Sequence, residues 1–273
     1  MIQEQEADII YNLLTYLNAS KEEDMYYSIA LTVVQHLEII PTCSINELAD
    51  MCYTSTATIS RFCKKFGCAS FPRFKEEVKE GLILAKDEIH LQTFEKEYLD
   101  MNPNYLIEKV YHLIIESLLL GRQSIDIIAI DRLCQLIHDA KKVHLFGFQY
   151  NKILASDFQL KMLKLNKFIY SFVDHGDDMP KTELLDEDSL AIFLSVSARP
   201  SHLSLIDTIH QNHAKVALLT LNPQTTLKDE VDYFFCVQGK ESDFTVSSIS
   251  GSIGLLAVLN IIYLRYGLLY PNR

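Results

Sequence analysis

The most constraining feature of this 273-residue chain is a short basic segment, Thr54 to Lys75, which holds five basic residues and no acidic one. The chain as a whole carries a formal net charge of −11. A basic stripe in an acidic protein indicates an anionic partner that binds at this segment and is repelled elsewhere.

The basic segment also has the pattern of a helix. Ser55 is a capping residue, because its hydroxyl can accept a hydrogen bond from a backbone N–H of the first turn. Ile59, Phe62 and Phe66 recur at helical spacing and predict a buried side. Gly67 is a typical C-terminal signal. The cationic side chains are therefore expected on the outer face.

A second short helix is predicted just upstream. Ser44-Ile45-Asn46-Glu47 is a capping box, in which the Ser hydroxyl and the Glu carboxylate satisfy each other's backbone N–H groups. Two short helices with a tight link, the second one basic, are typical of a helix-turn-helix whose second helix lies in the DNA major groove. A merely solvated face of a helical bundle is the plainer hypothesis; the capping box, the acid-free run and the small polar residues together favour DNA binding.

The predicted DNA contacts are of two kinds. Hydroxyls in the first turn suit base edges or phosphates, and the cations suit phosphate neutralisation and guanine readout. The candidate DNA-binding residues are Ser44, Ser55, Thr56, Thr58, Ser60, Arg61, Lys64, Lys65 and Arg73.

Composition narrows the class of protein. Hydrophobic residues make up 48% of the chain and charged residues 22%, as in soluble globular proteins. The six cysteines form no CxxC pair or zinc-type pattern, which favours reduced thiols in the cytoplasm, and we expect only Cys68 to be partly exposed. The most apolar run, Ile253 to Leu264, is too short to span a membrane and predicts a buried helix. No metal, cofactor or membrane partner is expected.

The periodicity divides the chain into two kinds of structure. Residues 1–86 predict about five helices, residues 87–104 a linker, and residues 105–273 an α/β domain that begins with two helices separated by Gly121. In the second part, short apolar runs alternate with helices, which predicts a five-stranded parallel sheet in an αβα sandwich. The predicted strands are 143–147, 168–173, 189–195, 215–220 and 233–237, with a final helix over 246–266.

The motifs of the first part resemble the N-terminal domain of the RpiR/MurR family of bacterial transcription regulators. The resemblance runs without a gap over some thirty positions and rests on three stretches: SINELA from Ser44, STATISRFCKKFG from Ser55, and FPRFK from Phe71. It implies a DNA-binding helix-turn-helix. One departure lies in the turn, where the family usually has Gly and this chain has Tyr53.

The second part resembles a SIS (sugar isomerase) domain, the phosphosugar-binding module usually found behind this helix-turn-helix. The family's Ser-x-Ser-Gly-x-Thr phosphate loop is matched at Ser195 and Ser197, but Ala198 replaces its Gly and Pro200 its Thr. Arg199 is an added cation that could pair with a phosphate. In the loop after the first strand, Gln149 and Asn151 replace the family's second Gly and its Ser. The candidate ligand-binding residues are Gly147, Gln149, Asn151, Ser195, Ser197 and Arg199.

Together the resemblances imply a homodimeric or tetrameric, operator-binding regulator of carbohydrate metabolism whose SIS domain senses a phosphorylated sugar. Two alternatives stay open. A degenerate SIS domain would leave a DNA-binding dimer without an effector. A sugar-phosphate isomerase, with Glu241 as its base, would leave the helix-turn-helix unexplained. We expect no catalysis.

Overall fold

The computed structural model describes residues 9–20, 24–88, 98, 100–147, 151–171, 184–239 and 249–271. The described chain divides near residue 87 into two compact units, a helical unit before it and a sheet unit after it. Much of the predicted linker, including residues 89–97, lies outside the described residues, as do residues 172–183 and the start of the predicted final helix.

The helical unit contains α1 (Ile9–Ala19), α2 (Met25–Gln35), α3 (Ile45–Met51), α4 (Thr56–Lys65) and α5 (Phe71–Glu88). Its core is aromatic: Phe62 lies 4.7 Å from Phe66 and 6.0 Å from Phe74, measured between ring centroids, and all three side chains are buried. Because Phe62 and Phe66 lie one turn apart on α4, this packing fixes which face of α4 points outward.

Two local predictions in the helical unit were wrong. The apolar periodicity from Tyr27 to Ile40 predicts a single helix over that stretch, but α2 ends at Gln35 because His36 leaves the helical conformation at φ −129°. Cys68 is buried rather than partly exposed, since its thiol lies within 3.4 Å of the buried Glu77 carboxylate. Burial and the negative charge of Glu77 raise the pKa of this thiol above its usual range.

The sheet unit begins with two helices, α6 (Tyr105–Ser124) and α7 (Ile127–Asp139). The alternating elements follow: β1 (Lys142–Gly147), α8 (Asn151–Leu163), β2 (Tyr170–Ser171), β3 (Ser189–Leu194), α9 (Leu203–Gln211), β4 (Lys215–Thr220), β5 (Tyr233–Cys236) and α10 (Ile249–Leu269). Single 3-10 turns cover Pro200–His202 and Thr226–Glu230.

The five strands form one parallel sheet in the order β2-β1-β3-β4-β5, which confirms the predicted α/β class. Alternate residues of β3 point to opposite faces. Leu190, Ile192 and Leu194 join a core with α7, α8 and α10, whereas Ala191 and Phe193 join a second core with α9. Helices therefore cover both faces, as predicted.

Gly121 does not separate two helices as predicted, because α6 runs through it to Ser124. A Cβ atom at Gly121 would lie 3.3 Å from Val237 Cγ1. The missing side chain of Gly121 therefore allows α6 to pack closely against the end of β5. A glycine that is retained for close packing inside a helix cannot be told from a helix-ending glycine by sequence alone.

Among the described residues, one helix segment, Ser250–Leu269, is long and apolar enough to cross a membrane by length and composition alone. Core helices of soluble proteins pass the same test. Leu255, Val258, Ile262 and Tyr266 of this helix pack into the core of the sheet unit, in agreement with the predicted buried helix.

Candidate nucleic-acid interface and effector loop

Side-chain caps fix the starts of α3 and α4. Ser44 Oγ accepts from the Glu47 N–H at 3.2 Å, and the Ser44 N–H donates to Glu47 Oε2 at 2.6 Å. These hydrogen bonds to Ser44 hold the pKa of Glu47 below its ordinary value. Ser55 Oγ accepts from the Thr58 N–H at 3.2 Å and lies 2.9 Å from Thr58 Oγ1. The predicted capping residues thus position the helices, and their hydroxyls are engaged in doing so.

A polar stripe runs along the outer face of α4. We define the α4 stripe as Ala57, Ser60, Arg61 and Lys64, which recur at helical spacing; Ala57, Arg61 and Lys64 are exposed. The Arg61 Nε–H donates to the Ala57 carbonyl at 3.3 Å. The two terminal guanidinium nitrogens take no part in this hydrogen bond. The Ser60 hydroxyl donates to Thr56 O at 3.0 Å. The stripe presents two cations to solvent.

Two other predicted DNA-binding cations are engaged within the helical unit. The Lys65 ammonium lies 5.6 Å from the ring centroids of both Tyr16 and Tyr26. The Arg73 guanidinium lies 3.1 Å from the Glu77 carboxylate and 3.4 Å from that of Glu76, measured between nitrogen and oxygen. These contacts compensate the charge of Arg73, so we leave it out of the proposed interface.

The turn between α3 and α4 is a Schellman motif. The Tyr53 N–H donates to Asp50 O at 3.1 Å and the Thr54 N–H to Ala49 O at 2.9 Å. This motif requires a left-handed residue, and Tyr53 adopts φ +50°. For a non-glycine residue that conformation costs about 1–2 kcal/mol. The Tyr therefore keeps the glycine geometry of the turn rather than changing it.

The predicted phosphate loop, residues 195–200, follows β3 and is called the effector loop from here on. Side chains from the end of β4 and from the segment after it hold this loop. Thr220 Oγ1 donates to Val196 O at 2.9 Å, Asn222 Nδ2 to Ser197 O at 2.8 Å, and Thr225 Oγ1 to Ala198 O at 2.7 Å. Three successive carbonyls are thus directed to one side. Since peptide planes are trans, the N–H groups of the next residues point to the opposite side.

One of these N–H groups is used within the loop, because the Ala198 N–H donates to Ser195 Oγ at 3.0 Å. Ala198 occupies the left-handed region at φ +46°, so it preserves the conformation of the glycine it replaces. Successive amides around a left-handed residue form a concavity that binds anions. Pro200 begins the 3-10 turn, where its missing N–H is tolerated.

Gly147 and Asn151 bring the first loop to the same edge of the sheet. Gly147 pairs with Leu194 in the register of β1 and β3, which places the ends of both strands side by side. A Cβ atom at Gly147 would lie 2.5 Å from the Asn151 carbonyl oxygen, so only glycine fits. Asn151 is 6% exposed, and its Oδ1 has no hydrogen-bond partner among the described residues. Gln149 and Glu241 lie outside the described residues.

Sequence reasoning missed three residues that shape the effector loop: His202, Asn222 and Thr225. His202 Nε2 lies 3.4 Å from Ser195 Oγ. Burial, followed by the neighbouring Arg199 charge, lowers the pKa of His202 to about 4, so the ring is neutral at pH 7. The sequence did hold a signal for Asn222 and Thr225, because these polar residues follow a buried strand within five residues. The carboxyl ends of parallel strands meet at one edge of a sheet, so polar residues after β4 are expected near the loop after β3.

The fold and the two candidate sites define a class of protein: a helix-turn-helix head with an exposed basic stripe, followed along the chain by a parallel-sheet domain with a candidate phosphate loop after β3. The sequence matches the rpiR-family helix-turn-helix domain over residues 11–83 and the SIS domain over residues 136–265. The chain belongs to the RpiR family of helix-turn-helix transcriptional regulators, which confirms the family expected from the sequence motifs.

Known proteins resemble the chain over most of its length. It is 24% identical to an "uncharacterized HTH-type transcriptional regulator" of Haemophilus influenzae, over 91% of this chain and 85% of that one. It is 19% identical to the transcriptional regulator RpiR of Escherichia coli K12, over 81% and 73% respectively. The solved structure of Vibrio vulnificus NanR complexed with ManNAc-6P covers 96% of this chain and 93% of its own, with 15% identity and a TM-score of 0.55, which supports the fold.

Proposed function

We propose that the chain acts in the cytoplasm as a regulator that grips operator DNA through the α4 stripe and responds to a phosphorylated sugar bound at the effector loop. The observation that carries the proposal is the stripe itself. Arg61 and Lys64 stand exposed on a capped helix, in a chain whose net charge of −11 repels nucleic acid elsewhere. Arg61 is suited to guanine or phosphate contact and Lys64 to phosphate contact.

The effector loop has the chemistry of a phosphosugar site. The N–H groups of Ser197 and Arg199 point away from the β4 segment, and the Ser197 hydroxyl and Arg199 guanidinium add donors that suit a phosphate. The buried acceptor on Asn151 suits a sugar hydroxyl, since a buried polar atom without a partner costs free energy until a ligand supplies one. The relative NanR was solved with a phosphorylated sugar, ManNAc-6P.

Operator binding by this fold also calls for two heads, and we propose that the sheet unit forms a homodimer. The helix α10 is mostly apolar, and two of its leucines one turn apart are exposed, Leu264 at 62% and Leu268 at 74%. Apolar side chains exposed in a group indicate a protein interface. A dimer would place two α4 helices on half-sites about 34–36 Å apart or a multiple of that distance. An effector that binds one arrangement of the heads more tightly would shift operator affinity.

Selection of genomic fragments tests the proposal directly. The purified protein should retain a small set of fragments that share a palindromic element, near genes of sugar metabolism. Binding to the best fragment is then measured against a panel of phosphorylated sugars and the same sugars without phosphate. We expect one phosphorylated sugar to change the affinity and its unphosphorylated form to have no effect.

The variant Ser197→Ala should abolish the response to the sugar and keep the affinity for DNA. Ser204→Ala is the matched control, because it makes the same chemical change on α9 outside the loop. A protein that retains no fragment contradicts the regulator, and one that retains fragments but ignores every phosphorylated sugar supports the effector-free dimer. Turnover of ketose and aldose phosphates would instead favour the isomerase.

A further inference from the structure

Four Schellman motifs in the described residues end their helices with a left-handed residue. The same pair of backbone hydrogen bonds closes α3, α4, α8 and α9. The left-handed residues are, in that order, Tyr53, Gly67, Asn166 and His213. Glycine suits this conformation, and Asn and His are enriched among the non-glycine residues that adopt it. Tyr53 is the bulky exception, and it lies in the helix-turn-helix.

The side chain of Tyr53 offers no folding benefit that offsets this strain. The residue is 96% exposed, so its ring buries almost no apolar surface. The equivalent position after α4 is filled by Gly67 at φ +81°, which shows that the helical unit uses the unstrained residue where only geometry matters. Strain that packing does not explain marks a position where another requirement is met.

The position of Tyr53 in the helix-turn-helix indicates that this requirement is contact with DNA. It lies two residues before Ser55, the residue that caps α4, and thus at the end of α4 that carries the first turn. In a helix-turn-helix the first helix crosses the DNA backbone and the amino end of the second enters the major groove. We therefore expect an exposed side chain in the turn between them to lie near the phosphates at the rim of the groove. A tyrosine hydroxyl is a donor that proteins use on DNA phosphates.

We propose that the Tyr53 hydroxyl donates a hydrogen bond to a DNA backbone phosphate, which adds a neutral contact to the cations of the α4 stripe. The inference rests on the proposed DNA binding and extends it. Because the partner is a phosphate, the contact is independent of base sequence. Because tyrosine is uncharged, it releases no counterion, and the salt dependence of binding should not change when it is removed.

The test uses the 273-residue protein and a fluorescein-labelled 30-base-pair duplex of random sequence, with binding followed by anisotropy. Tyr53→Phe removes only the hydroxyl and should weaken binding about fivefold, with an unchanged slope against salt. Tyr53→Gly should weaken it at least as much while it slows hydrogen exchange of α3 and α4 amides about 5- to 30-fold, because the strain is gone. Tyr111→Phe, at an exposed position on α6, is the matched control and should bind like the wild type.

The outcomes separate this inference from the broader one. Wild-type affinity for Tyr53→Phe overturns the phosphate contact, even where Tyr53→Gly is weaker, since the ring rather than the hydroxyl would then be used. A wild-type protein that binds neither this duplex nor any genomic fragment overturns the proposed function itself. Weaker binding by both variants, with slower exchange in the glycine variant, supports the proposal.

Discussion

Two arginines of the basic segment have the same charge and different surroundings. Arg61 is exposed on the α4 stripe, whereas Arg73 contacts Glu77, whose side chain is 3% exposed. Arg61→Ala should therefore weaken DNA binding by about 1–3 kcal/mol without lowering the stability of the helical unit. Anisotropy titration and urea unfolding measure the two effects.

Arg73→Ala is the counterpart and should have the reverse profile. It removes a cationic partner from a buried carboxylate, and we expect a loss of about 1–3 kcal/mol in the free energy of unfolding. Unchanged stability in Arg73→Ala, together with a loss of DNA affinity, would show that Arg73 contacts DNA and does not stabilise the helical unit.

A buried histidine predicts how stability depends on pH. His144 is fully buried in β1 with its ring stacked on Tyr170, and burial, followed by the charge of Lys142, lowers its pKa to about 4 while Asp186 opposes the shift. The unfolded chain binds this proton near pH 6.5. The contribution of His144 to stability is therefore complete above pH 6.5 and lost as the pH falls toward 4, by up to about 3 kcal/mol.

Urea unfolding of the full chain between pH 7 and 4 measures this slope, and His144→Phe, which keeps an aromatic ring beside Tyr170, should reduce it. Part of the slope should remain, because His202 has a similarly lowered pKa. The pKa of Asp186 is held at about 2 by hydrogen bonds from Lys142 and Ser189, so its stabilisation is lost only below about pH 4. An identical slope in the variant would place the titrating groups elsewhere.

At the scale of elements, the effector loop depends on the segment after β4. Thr225→Val keeps the shape of the buried side chain but removes the hydroxyl that donates to Ala198 O. We expect a loss of about 1–3 kcal/mol in stability from the unsatisfied carbonyl, and a weaker response to the sugar because the loop amides lose their fixed direction. Unfolding and calorimetry measure the two effects.

Thr208→Val is the matched control, because the Thr208 hydroxyl is exposed and donates within α9. It should change neither quantity. A normal sugar response in Thr225→Val would show that the tether does not order the loop.

The elements that follow from local chemistry were predictable from the sequence. The caps at Ser44 and Ser55, the aromatic face of α4 and the five apolar strands each have a signal within a few residues. The errors arose where distant contacts decide. Gly121 predicts a helix end, but in the fold it lies inside α6 and packs against Val237. Cys68 is predicted to be partly exposed, but it is buried beside Glu77. The tether from Thr225 to Ala198 likewise joins residues that only the sheet brings together.

At the scale of the whole molecule, the proposed dimer makes α10 the element to disrupt. Replacing both Leu264 and Leu268 by Glu should dissociate the dimer, because charges would be buried in an apolar interface. Light scattering measures the mass, and operator affinity should fall further than affinity for a single half-site, since one head then binds without the other. The matched variant Leu268→Met should stay dimeric. If the double Glu variant is still a dimer, the dimer interface lies on a surface other than α10.

The whole account depends on the exposed stripe of α4, and the salt dependence of duplex binding tests it most directly. The 273-residue wild type and the double variant Arg61→Ala/Lys64→Ala are titrated with the same duplex at several salt concentrations. We predict that the wild type binds with an affinity that falls steeply as salt rises, and that the double variant binds far more weakly with a slope smaller by about 2. Equal affinity and an equal salt slope for the two proteins would contradict the claim that α4 binds DNA.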